Sequence, residues 1–129
     1  MFVTSQGSPQ SRLKRALAAG NPLLVRAAAA ELPQVGLDDA LAICLVLLES
    51  EPGRYEPAAV RFLGRLLLER RVLTLEDTQL AARWLGELRD PGEGAAAVLG
   101  LAELCDDVGL VGAAGALRQR VADARRPGV

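Results

Sequence analysis

Three arginines, Arg54, Arg61 and Arg65, stand at i, i+7 and i+11, and Tyr55 follows the first of them. A helix through these positions puts all three guanidinium groups on one face. Guanidinium binds carboxylate and phosphate through a two-pronged hydrogen-bond fork, so the stripe could clamp an acidic partner or an anion. Glu69, four residues after Arg65, is the one obvious intrahelical partner, and it sits in the less favourable order. The competing reading is a solvated face. Every cation except Lys14 is an arginine, a bias that GC-rich coding produces and that weakens the meaning of any single one.

Two further clusters carry charge. Glu103, Asp106 and Asp107 fall near the end of an expected helix, where negative charge opposes the helix dipole. They would serve a partner or a cation, or they are exposed carboxylates that cost tenths of a kcal/mol. Their spacing lacks the glycine-bearing loop of a calcium-binding hand. Arg12, Lys14 and Arg15 near one end, and Arg118, Arg120, Arg125 and Arg126 near the other, form basic groups. These could meet nucleic acid, but no aromatic residues interleave them for base stacking, and the net charge is only −1.

Much chemistry is excluded by composition. The chain has no histidine, hence no ordinary catalytic triad and none of the commonest metal ligand. Cys44 and Cys105 are too far apart in sequence for a paired-cysteine motif and sit among apolar neighbours. They are expected to be free, buried core thiols; a disulfide between them is the minor alternative. No phosphate-binding glycine loop or nucleophile motif occurs. We therefore expect a protein that is not an enzyme and carries no cofactor or metal. The longest apolar run, 40–48, is too short to span a membrane, and the first ten residues do not read as a secretory leader. A cytoplasmic location is the expectation.

The elements that must position these residues are helices. Leu and Ala dominate the chain, aromatics are 3%, and 50% of residues are hydrophobic. That favours one packed all-α domain and argues against a sandwich or barrel. Punctuation by Gly20-Asn21-Pro22, Pro33, Gly36, Glu51-Pro52-Gly53, Thr74, Asp90-Pro91-Gly92 and Gly109 predicts seven helices. They cover roughly 9–19, 22–32, 37–48, 53–71, 75–89, 93–108 and 111–124, between an N-terminal arm over 1–8 and a tail over 125–129. The second helix is expected to turn Leu24, Ala27, Ala28 and Leu32 inward, and the fifth Leu75, Leu80, Ala81, Trp84, Leu85 and Leu88. The third is apolar on every side, which marks a central, buried helix. Gly64 and Gly86 inside helices point to close helix crossings.

Turns bearing Gly20, Gly53 and Gly92 recur at helix-pair intervals, and 35–39 resembles 73–77 at the entries to the third and fifth helices. Paired helices at such a period read as stacked hairpins, because one pair cannot bury its own apolar face. Three antiparallel hairpins with a capping C-terminal helix follow, as a short solenoid or a compact bundle. Val98, Leu101, Ala102, Cys105, Gly109 and Ala114 carry the spacing of a degenerate tetratricopeptide repeat, with Gly20 and Val25 as a fainter echo. The chain thus resembles the tetratricopeptide-like helical-repeat superfamily over these segments. It departs from the pattern at Cys105 and Arg118, where that family places aromatics.

The resemblance implies a protein-binding scaffold. The expected function is a non-enzymatic interaction module that binds a peptide, a helix or a second copy of itself on a helix-lined surface. Arg54, Tyr55, Arg61 and Arg65 would form the rim. An anion or small-molecule sensor, with a pocket between the third, fourth and fifth helices, is the first alternative. Nucleic-acid association through the arginine-rich ends is the second.

Overall fold

A computed structural model describes residues 8–125; residues 1–7 of the expected arm and 126–129 of the expected tail, Arg126 included, lie outside the described residues. Seven α-helices follow in order: α1 (Pro9–Ala19), α2 (Pro22–Ala30), α3 (Leu37–Ser50), α4 (Tyr55–Glu69), α5 (Leu75–Glu87), α6 (Gly94–Asp107) and α7 (Val111–Ala124). A single 3₁₀ turn, Pro52–Arg54, leads into α4, and no strand occurs among the described residues. The all-α expectation is met.

Helix boundaries fall where local chemistry puts them. The Ser8 hydroxyl caps α1, and Gly20 ends it in the left-handed conformation at φ 68°. The Asn21 side chain then accepts from the amides of Leu23 and Leu24, and Pro22 opens α2. Thr74 and Asp77 form a reciprocal capping box at the start of α5. Pro57 sits in the first turn of α4, where its missing N–H costs nothing. α2 ends two residues sooner than expected, since Leu32 precedes Pro33 and is steered out of helical geometry.

Five helices close a ring. α3 packs on α4, α4 on α5, α5 on α6, α6 on α7, and α7 returns to α3. In an open solenoid each unit touches only its sequence neighbours. The return of α7 to α3 therefore makes this a compact bundle. Its core contains Leu41, Cys44, Tyr55, Phe62, Leu66, Leu101, Cys105 and Leu117, all essentially inaccessible to solvent. The α1/α2 hairpin lies outside the ring and packs on α3 with its own small core of Leu13, Ala16, Val25 and Ala28. Ile43 and Val46 of α3 pack against that second core. α3 thus feeds two cores from opposite sides, which explains its apolar circumference.

Two polar contacts tie the outer elements to α3. Asp39 is buried, and its carboxylate accepts from Lys14 Nζ and Gln10 Nε2, each at 2.8 Å, clamping α1. Asp38 Oδ1 accepts from the Ala113 amide at 2.7 Å, capping α7, whose own N-cap residue Leu110 supplies no side-chain bond. Both aspartates sit in the first turn of α3, as expected for the helix dipole, but each also serves a second helix.

Inward faces are corrected at two helices. In α2 the buried residues are Val25 and Ala28, while Leu24 is 55% exposed and Ala27 is exposed. A segment apolar at almost every position carries no period to orient it, and contact with α1 and α3 decides the face. In α5, Leu75 is 85% exposed because it is the first helical residue and projects past the end of the bundle.

The close-crossing glycines are also not the expected pair. A Cβ at Gly64 would meet nothing within 4 Å, and one at Gly86 only the end of Arg89 at 3.7 Å. The tight positions are Gly100, where a Cβ would lie 2.6 Å from the Trp84 ring, and Gly112, where it would lie 3.1 Å from the Asp38 carboxylate. The Trp84 ring packs against the bare backbone of α6, and the Asp38 carboxylate packs closely on α7 where residue 112 has no side chain. Gly64→Ala should stabilise the fold by about 0.5–1 kcal/mol through helix propensity. Gly100→Ala should destabilise it by about 1–3 kcal/mol through overpacking against Trp84. Urea unfolding monitored by circular dichroism checks both signs.

Candidate binding groove

The arginine stripe is only partly assembled. Arg54 lies in the 3₁₀ turn ahead of α4, with its Nε 3.6 Å from Glu51 Oε1. The same oxygen is 3.3 Å from Arg26 Nη1, is shielded from solvent and accepts no hydrogen bond. Glu51 thus holds Arg54 and Arg26 by charge, stapling α2 to the α3–α4 turn. Arg65 is paired with Glu69 at 3.0 Å. Arg61 is exposed and makes no hydrogen bond or ion pair among the described residues. Tyr55 departs from expectation: it is 1% exposed, and its hydroxyl donates to the Leu85 carbonyl at 2.7 Å. As the first residue of α4 it faces α5, away from the arginines, and is a core anchor.

A larger feature lies across α3. The N-terminal half of α1 meets Asp39 at the start of α3, and its C-terminal end shares a groove with Val46 and Glu49 near the end of α3. α7 runs the same way, from Ala113 at Asp38 to Arg120 Nη1, 2.7 Å from Glu49 Oε2. α1 and α7 are thus parallel to α3 and straddle it, yet they do not pack on each other. An open groove of about 740 Å³ remains between them. Its floor is Ala42, Leu45 and Val46, its walls include Leu17, Ala18, Ala116 and Ala124, and Glu49, Gln119, Arg120 and Asp123 line its edge.

Small residues and shallow relief suit a helix approaching closely, with larger side chains seated between alanines. Sequence reasoning missed this site because alanines carry no chemical signature and its walls come from opposite ends of the chain. The one available signal was the surplus of small residues at Ala18, Ala42, Ala116 and Ala124, beyond what a filled core needs.

Other expected sites are smaller or satisfied. Where a pocket among the third, fourth and fifth helices is expected, a cleft of about 150 Å³ lies between α4 and α5, bounded by Ala59, Leu63 and the Arg89–Glu56 pair. Ligand pockets are usually about 300–1,000 Å³. A third cleft, about 410 Å³, opens on the outer side of the α1/α2 hairpin beside Leu24 and Ala27. Of the acidic trio, Asp106 is bound to Arg118 at 2.6 Å, and no group of three or more potential metal ligands occurs among the described residues. In the basic groups, Arg12 pairs with Glu31, Lys14 with Asp39, and Arg120 with Glu49. No helix among the described residues is long and apolar enough to cross a membrane.

Both cysteines are free and buried. Burial pushes Cys44 from the usual 9.0 up to about 11, partly offset by the charge of Arg61. Burial likewise pushes Cys105 to about 12, helped by Asp38 and Asp106. The Tyr55 hydroxyl is raised as well, again chiefly by burial. Thiolate is the reactive form, so neither cysteine is a nucleophile in the folded chain.

Raised folded-state values mean the folded protein retains protons that the unfolded one loses. The stabilisation is complete below pH 9 and lost as pH rises toward 11–12. Stability should therefore hold up to pH 9 and fall above it. The double variant Cys44→Ala, Cys105→Ala should flatten the first part of that decline, before tyrosine ionises. A thiol reagent at about pH 8 should label the native protein only as fast as it opens. Stopped-flow labelling beside unfolding kinetics tests this.

Comparison with known proteins yields no relationship: no family model, no curated protein and no solved structure matches the chain.

Proposed function

We propose that this protein is a non-enzymatic interaction module that receives an amphipathic helix of a partner protein in the groove between α1, α3 and α7. The carrying observation is that two helices flank α3 in parallel without meeting, over an apolar floor of Ala42, Leu45 and Val46. Successive helices in this bundle alternate in direction. A helix seated antiparallel to α1, α3 and α7 would continue that alternation and bury Ala42, Val46 and Ala116. Helix-in-groove recognition works through apolar anchors at i, i+3, i+4 and i+7, and the alanines of the walls leave room for large anchors such as Leu, Met or Phe. The edge carries both signs, Arg120 against Glu49 and Asp123, and would set register more than strength. Arg61, exposed and unpaired, lies on a different surface and is a secondary contact at most in this reading. Free buried thiols at Cys44 and Cys105 support a reducing, cytoplasmic setting.

Affinity capture with the intact chain, compared across variants, tests the proposal. Ala42→Trp fills the floor and Ala18→Glu charges the wall; each should reduce recovery of the bound partner by at least tenfold, with melting behaviour retained. Arg61→Glu with Arg65→Glu should leave recovery unchanged. A partner indifferent to both groove variants and lost from the arginine variant would move the site to α4 and overturn the groove assignment.

A further inference from the structure

The α4–α5 connection carries an apolar cluster that the bundle does not use. Leu68 in the last turn of α4 is 70% exposed, Val72 in the turn is 73% exposed, and Leu75 at the start of α5 is 85% exposed. Val111 at the start of α7, 69% exposed, lies at the same end, since Arg70 Nε donates to the Val108 carbonyl at 2.8 Å. Single exposed apolar residues are ordinary, but three within eight positions on one connection are a patch. They are not needed for folding: the turn is held by the capping box of Thr74 and Asp77 and by the Arg70 bond.

The charges around this patch indicate what covers it. Arg71 and Glu76 flank Val72 and Leu75, both are exposed, and neither makes a hydrogen bond or ion pair among the described residues. Most other cations of the bundle are paired within the chain, Arg65 with Glu69 and Arg83 with Glu87 among them. One unpaired charge of each sign, set on either side of an apolar strip, is self-complementary. About a twofold axis through the strip, Arg71 of each copy would meet Glu76 of the other, and Val72 and Leu75 would meet their own counterparts. That reciprocity is what an isologous contact requires.

We propose that the Leu68–Val72–Leu75 surface is a homodimer interface, with Arg71 and Glu76 of two copies paired across the twofold axis. It lies on the connection between α4 and α5, whereas the α1/α3/α7 groove is built without either helix. The dimer therefore does not depend on the reading of that groove. With few side chains engaged, the contact is small, and association is concentration-dependent.

Sedimentation velocity on the intact chain over a concentration series, up to about 1 mM at the weak limit of specific association, tests this. The wild type should shift from monomer to dimer across the series. Leu75→Glu places an acid at a helix N-terminus, where it favours the fold, and should abolish the shift. Arg71→Glu should weaken association at least tenfold, and adding Glu76→Arg to it should restore association. A wild type that stays monomeric throughout overturns the proposal. So does a dimer that survives Leu75→Glu, or a charge swap that fails to rescue; circular dichroism confirms that each variant is folded.

Discussion

The architecture depends on one helix having no face to give to water. α3 turns Leu37, Leu41, Cys44 and Leu45 into the main core, and Ile43 and Val46 into the core under the α1/α2 hairpin. A helix apolar all round must be covered on all sides. α4 and α7 cover it from within the ring, and α1 and α2 from outside it. α3 is the one helix that both cores share, so the fold is arranged around it. What remains of α3 uncovered, around Ala42, is the floor of the groove.

Polar groups at the start of α3 then orient the closure. α7 could continue a stack away from α3, as the last helix of a solenoid would. Burial of Ala113, Ala114 and Leu117 brings it back, and Asp38, already favoured at the start of α3 by the dipole, fixes its register by satisfying the otherwise uncapped amide of Ala113. The approach is close at Gly112, where a Cβ would lie 3.1 Å from the Asp38 carboxylate. Asp39 does the corresponding work for α1 through Lys14 and Gln10. Two adjacent acids in one helical turn thus orient the two helices that flank the groove.

Helix content and boundaries were legible in the sequence because their signals are local. Asn21-Pro22, Thr74 with Asp77, and Gly109 act on backbone groups within a few residues and need no tertiary context. The central burial of α3 was legible for the same reason, as a property of one segment. Orientation was legible only where a period existed: Ala81, Leu85 and Leu88 of the fifth helix are buried as expected, whereas α2, apolar nearly throughout, turned a different face inward. The role of glycine inside helices was not legible. Gly64 and Gly100 are alike as letters within a helix, and only the position of Trp84 distinguishes an open site from a crowded one. The stripe on α4 was correctly spaced, yet Glu51 and Glu69 engage two of its three members, and Tyr55 turned inward to Leu85. The groove is defined by the gap between helices far apart in the chain, and a gap has no residue of its own to announce it.

The hairpin of α1 and α2 has a core of four small or medium side chains, joined to the rest mainly through Ile43, Val46 and the Asp39 clamp. A unit with so little buried surface of its own opens at lower free energy than the ring and as a separate cooperative step. α1 is also one wall of the groove. Any guest in that groove therefore binds the docked hairpin and not the detached one, so its apparent affinity scales with the docked fraction. Substitutions at Asp39 or Lys14, which touch no guest, would tune occupancy by changing how often the wall is standing.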